Sequence, residues 1–200
     1  MKLYYFRGAC SLAPHIGLRE AGFPFDLESV DLKSKRTASG SDYLSINPKG
    51  YVPTLVLDSG PAITENLAVL DWIGAQSPPL GIDGPLGRTR LLEALAFIAT
   101  EIHKSFKPFF TNGTDEEKAR ARALIDKRLQ LLAEQMRGPF LFGSQPTVAD
   151  FYLFVMLLWA DRFGLPVPQP LSALRDRLLE RPTVQAAMQA EGLTVELASA

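Results

Sequence analysis

The chain has 200 residues, is 46% hydrophobic and 22% charged, and carries a formal net charge of −1. That length holds one large domain or two small ones, and that apolar fraction fills a core, which excludes wholesale disorder. The near-neutral charge argues against nucleic-acid binding, and the single cysteine excludes an intramolecular disulfide framework and any multi-cysteine metal site. His15 and His103 lie far apart without metal-ligand spacing, so no metal is expected.

The N-terminal string MKLYYFRG has no long apolar run and no small-residue cleavage site, so no signal peptide is expected. The most apolar stretch, Val148 to Ala160, contains Asp150 and is too short to span a bilayer. A cytoplasmic protein in a reducing compartment follows, where a free thiol persists.

In chain order, Lys2 to Phe6 predicts a short strand, and Ser11 to Ala21 a helix with Pro14 in its first turn. Asp26 to Asp31 alternates and predicts a second strand, followed by a polar basic loop, KSKRTASGSD. Thr54 to Leu57 predicts a strand, Asp58-Ser59-Gly60-Pro61 a turn, and a brief strand runs to Thr64. Glu65 to Ala75 completes a mixed α+β unit. The string SPPLGIDGPLG, 77–87, is too rich in breakers for any regular element. It places a linker at 78–87, between domains at 1–77 and 88–200.

The second part predicts helices throughout. Leu91, Leu95, Ile98 and Ile102 recur on one helical face, and Ala96, Thr100, His103 and Lys107 form a separate stripe expected to face a cleft. Thr114 to Arg137 predicts a long helix with a charged face. Thr147 and Asp150 form a capping-box variant, and FYLFVMLLWA after it is apolar all round, hence a buried central helix. Leu171 to Leu179 and Thr183 to Glu191 close the chain as short helices.

Cys10 falls where the first strand ends and the first helix begins, a place whose free N–H groups and partial positive charge favour thiolate. Cys10-Ser11-Leu12-Ala13 is similar to a thioredoxin-type Cys-x-x-Cys without its resolving thiol. Such a site forms a mixed disulfide but needs an external thiol to finish the cycle. The alternative stays open that Cys10 is a small buried hydrophobe. Asn47-Pro48-Lys49-Gly50-Tyr51-Val52-Pro53 is a loop running into a strand. A cis Val52–Pro53 bond there exposes the Val52 backbone to an extended peptide, whereas an ordinary trans bond does not. Glu65 and Asn66 are either plain capping residues or a pair that binds an ammonium and a carboxylate at a helix N-terminus. His103 is read as cleft-facing beside Glu101 and Lys104, and His15 as a packing residue.

Taken together, MKLYY…GACSLAPHIGLRE, NPKGYVPTL, ITENLAVLDWI, EIHKSF and PTVADFYLF make the chain similar to a bacterial beta-class glutathione S-transferase, from residue 1 to about residue 193. The resemblance implies an α+β thioredoxin-like N-terminal domain followed by an all-α C-terminal domain, in a cytoplasmic, detoxifying homodimer. It implies glutathione as co-substrate, with Cys10 beside its sulfur and His103 as a second catalytic residue. Val52, before a cis Pro53, pairs with the cysteinyl backbone, and Glu65 and Asn66 bind the γ-glutamyl end. Lys35 and Lys104 lie near the rest of the ligand, while Thr100 and Glu101 reach the glutathione of the neighbouring subunit. Phe110 and Trp159 wall the co-substrate pocket. Asn66 departs from the family, where Ser is commoner.

Three residues compete to activate the thiol, ranked Cys10, Ser11, Tyr5. The expected activity is conjugation of glutathione to small apolar electrophiles, thiol–disulfide exchange through Cys10, or both. The alternatives are a ligand-binding or regulatory protein of the same fold, and a narrower glutathione-dependent dehalogenase or isomerase.

Overall fold

The computed structural model describes residues 1–193 of the chain, so the last part of the expected 88–200 domain lies outside the described residues. The sheet has strands β1 (Lys2–Tyr5), β2 (Asp26–Asp31), β3 (Arg36–Thr37), β4 (Thr54–Val56) and β5 (Ala62–Thr64), in the order β3-β2-β1-β4-β5. β1 runs parallel to β2, as the intervening helix α1 (Leu12–Glu20) requires, and antiparallel to β4, which pairs antiparallel with β5. β3 was not expected: the polar loop after β2 folds back to pair Val30 with Thr37 and Asp31 with Arg36.

Register decides where the loops emerge. Tyr4 pairs with Thr54, and Thr54 with Thr64. The end of β1, the start of β4 and the end of β5 therefore share one edge of the sheet. Cys10, the Val52–Pro53 peptide and Glu65 lie just beyond these strand ends, so residues distant in sequence gather there.

Helix α2 (Asn66–Gln76) follows β5. The breaker-rich segment after it does contain a regular element, a 3₁₀ turn over Pro78–Leu80 that buries Leu80. Prolines start such a turn readily, and one apolar side chain anchors it. Helix α3 starts at Gly87, where an added Cβ would lie 1.9 Å from the Ile82 carbonyl oxygen, so only glycine fits this closure.

α3 (Gly87–Phe97) runs into a π turn over Ile98–Ile102, a 3₁₀ turn over His103–Phe106, and the short α4 (Lys107–Phe110). Leu91, Leu95, Ile98 and Ile102 are buried as their spacing requires. α5 (Asp115–Gln135) opens with a Thr114–Glu117 capping box. α6 (Val148–Arg162) is the central helix, buried nearly all round. α7 (Gln169–Leu179) and α8 (Pro182–Ala190) close the fold. α1 packs against both α6 and α8, which joins the sheet unit to the helical unit through one apolar core.

Candidate active site

The strand ends and the α3–α6 face enclose a cavity of about 240 Å³, lined among others by Cys10, Val52, Glu65, Asn66, His103 and Tyr152. The β1–α1 loop that carries Cys10 is held by residues of the helical unit. Gly8 N–H donates to Glu191 Oε2 at 3.0 Å, and Trp159 Nε1–H donates to the Gly8 carbonyl at 2.9 Å. Cys10 is 8% exposed, and its thiol donates to the Val52 carbonyl at 3.7 Å. α1 begins at Leu12 with Ser11 as cap, so Cys10 precedes the cap itself. The expectation of thiolate character is corrected here. Burial pushes the Cys10 thiol up to about 12, outweighing the backbone N–H groups of Cys10 and Ser11 that pull it down.

Of the three candidate activators, only Cys10 lines the cavity. Ser11 is fully buried, its hydroxyl bonded to the Phe6 backbone, accepting from N–H at 3.2 Å and donating to the carbonyl at 3.3 Å. Tyr5 packs tilted against His15 with ring centroids 6.3 Å apart. His15 is fully buried, with Nδ1 at 2.9 Å from Glu191 and Nε2 accepting from Arg19 Nε–H at 2.9 Å. That is a packing role, as expected, with a partner that sequence could not supply.

On the opposite wall the Val52–Pro53 peptide is cis. The loop before it is fixed by Asn47, whose Nδ2–H donates to the Tyr51 carbonyl at 2.8 Å and to Thr54 Oγ1 at 3.0 Å. Glu65 adopts φ 72°, a left-handed conformation that costs about 1–3 kcal/mol in a non-glycine residue and marks functional clamps. Its carboxylate accepts from Lys49 Nζ at 2.7 Å. Asn66 is 8% exposed, yet neither amide atom has a partner among the described residues. It opens α2, whose first turn has no side-chain cap. A buried free amide beside uncapped N–H groups is set to receive an anionic oxygen.

From the helical side come Ala99, His103, Lys104 and Tyr152. His103 Nδ1 lies 2.6 Å from the Tyr152 hydroxyl. Burial, with Lys104 adding to it, holds the His103 imidazole down to about 4, so it is neutral near pH 7. Burial likewise pushes the Tyr152 phenol up.

Several expected residues do not line this cavity. The Ala96–Thr100–His103–Lys107 stripe is corrected: the π turn widens the helix, so His103 reaches the cavity with Ala99 and Lys104. Thr100 is exposed and bonds back to the Ala96 carbonyl at 2.9 Å. Glu101 pairs with Arg128 at 2.7 Å. Lys35 donates to the Gly50 carbonyl at 2.9 Å. None of these three lines the cavity. Nor do Phe110 and Trp159, which pack edge-on at 4.7 Å; Trp159 also meets the His103 ring at 5.1 Å.

Lys49 and Tyr152 were missed. Lys49 stood inside a loop already singled out, where a lysine beside an acid-bearing helix start was the available signal. Tyr152 was masked by the apolar run around it. A larger cavity of about 550 Å³, between α3 and α5, is lined by Phe97, Leu131, Leu132 and neighbours and by no cysteine, serine, threonine, lysine or histidine. Among the described residues no group of three His, Cys, Asp or Glu could hold a metal ion, and no helix is long and apolar enough to cross a membrane.

Family models described as glutathione S-transferase N-terminal domain and C-terminal domain match residues 8–76 and 115–188. The chain is 44% identical to glutathione S-transferase GstA of Escherichia coli O157:H7, over 96% of this chain and 100% of that one. A beta-class glutathione S-transferase structure from Sphingomonas chungbukensis is 43% identical with TM-score 0.88, covering 97% of this chain and 100% of that one. A sphingomonad glutathione S-transferase complexed with glutathione is 42% identical with TM-score 0.88, over the same shares, 97% and 100%.

Proposed function

This chain belongs to the glutathione S-transferase family, as a member of its bacterial beta class, and on that premise we propose how its cavity binds glutathione and activates it. The observation that carries the reading is the meeting of the Cys10 thiol with the unpartnered Asn66 amide in one cavity.

Glutathione has two carboxylates, an ammonium group and a thiol. The Asn66 amide and the uncapped start of α2 receive the γ-glutamyl carboxylate, and Glu65 takes the ammonium. Lys49 and Lys104 balance the remaining negative charge. The cysteinyl backbone N–H takes the Val52 carbonyl, which displaces the Cys10 S–H from its resting acceptor. The glutathione thiol releases its proton to solvent, and the freed S–H then donates to the glutathione sulfur and stabilises it as thiolate. That thiolate attacks a small apolar electrophile, forming a carbon–sulfur bond as the leaving group departs with its electron pair.

Burial that pushes the Cys10 thiol up to about 12 keeps it protonated, so it carries an S–H to donate and is a poor nucleophile; conjugation leads and disulfide exchange is the slower branch. In exchange, the Cys10 sulfur attacks a glutathione disulfide, one thiol leaves with the Cys10 proton, and a second thiol releases the protein.

Assembly as a homodimer, a cytoplasmic setting and a detoxifying role belong to the same reading, as do domain limits at 1–77 and 88–200 around the 78–87 linker. Sedimentation of the purified chain tests the dimer.

An aryl-halide conjugation assay compares wild type with Cys10→Ala, Ser11→Ala and Tyr5→Phe. The expected result is a loss confined to Cys10→Ala, and equal rates in all four sink the proposed activation. Intact mass after treatment with oxidised glutathione reports the exchange branch, which requires an adduct absent from Cys10→Ala. Failure to bind immobilised glutathione removes the site.

A further inference from the structure

Tyr152 stands in the second turn of α6 and is 1% exposed, in a run of otherwise apolar side chains. Its hydroxyl makes one hydrogen bond among the described residues, to His103 Nδ1 at 2.6 Å. The direction of that bond decides what His103 offers the cavity. A phenol is a stronger donor than a neutral imidazole N–H, and an imidazole nitrogen is a better acceptor than a phenol oxygen. The bond therefore runs from Tyr152 O–H to Nδ1, and the imidazole proton sits on Nε2. His103 Nε2 has no partner among the described residues and remains available to a ligand.

We propose that Tyr152 is a positioning residue for His103, holding it in the Nε2–H form so that it acts as a hydrogen-bond donor to negative charge on the bound reactants. His103 then removes no proton. It stabilises charge on the glutathione sulfur or on the departing group. The low basicity of the buried ring agrees with this division of labour. The inference rests on reading the cavity as the glutathione site.

The chain contains two histidines, so its imidazole spectrum is simple. His15 serves as the internal contrast. Arg19 Nε–H donates to its Nε2, which places the His15 proton on Nδ1 facing Glu191. Long-range ¹⁵N–¹H correlation spectra of histidine-labelled wild type at pH 7 should show the two rings as opposite tautomers. In Tyr152→Phe the His103 ring should shift toward Nδ1–H or a mixture, while His15 does not move. A wild-type His103 in the Nδ1–H form overturns the proposal without recourse to a variant, and so does an unchanged His103 tautomer in Tyr152→Phe.

Kinetically, Tyr152→Phe should lower kcat for aryl-halide conjugation about tenfold with KM for glutathione within about twofold. An unchanged kcat with a raised KM overturns it. Retention on immobilised glutathione separates the two levels. The expected tautomers in a protein that is not retained refute the glutathione reading, whereas the wrong tautomer in a retained protein refutes the role of Tyr152.

Discussion

Two buried polar groups, Asp150 and Asn66, were both read from sequence as helix-start residues, and they solve burial in opposite ways. Asp150 is fully buried at the start of α6 and accepts three hydrogen bonds, from Leu141 N–H, Thr147 N–H and Thr147 Oγ1, each at 2.8 Å. Asn66 is nearly as buried at the start of α2 and has none. A complete set of partners marks a group that holds the fold together. A buried polar group left incomplete costs stability, and the cost is recovered when a ligand supplies the missing partner. The same contrast separates His15, bonded at both ring nitrogens, from His103, bonded at one.

The largest effect is expected on the complete side. Asp150→Ala strands three donors and should lower stability by about 3 kcal/mol in urea unfolding, and a loss below about 1 kcal/mol would break the comparison.

His103 sharpens it through pH. Its imidazole is held down from 6.5 to about 4, so the unfolded chain binds the proton more tightly. Stability from this group is fully present above pH 6.5 and is lost progressively as pH falls from 6.5 to about 4. Between pH 7 and pH 4.5, wild type should lose about 2 kcal/mol more than His103→Gln in denaturant titrations. Equal losses would show that the ring is protonated at no cost to the fold.

Asn66→Ala should raise KM for glutathione about tenfold while moving the urea midpoint little, because it removes no bond made in the free protein. A large drop in stability would place Asn66 with Asp150 instead. The smallest effect belongs to Lys49→Ala. Its pair with Glu65 is about half exposed on both sides, with side chains 49% and 60% accessible, so stability should change by less than about 0.5 kcal/mol. A several-fold rise in KM for glutathione is still expected, and an unchanged KM would remove Lys49 from the ligand's surroundings.

The parts of this fold that were legible in the sequence are those whose causes are local. The Thr147–Asp150 box lies within one helical turn, and α6 announces itself by being apolar on every face. Cys10, Val52 and Glu65 were found because each sits next to a change of element, where backbone groups are left free. Residues whose role depends on the far side of the molecule were not legible. Glu191 reaches His15 and Gly8 across 176 and 183 positions, and nothing near it in sequence marks it. Tyr152 looked like one more core residue until His103 stood beside it.

By itself the sequence determined the order of the main elements, β3 excepted, and the change from a mixed sheet unit to a helical one, because periodicity, breakers and caps act over a few residues; its motifs pointed to the family by resemblance. Tertiary structure decided the state of the site. The π turn over Ile98–Ile102 chose Ala99, His103 and Lys104 for the cavity in place of the expected stripe. Burial turned Cys10 from an expected thiolate into a thiol, because desolvation is a property of everything packed around a group and outweighs the helix start nearby.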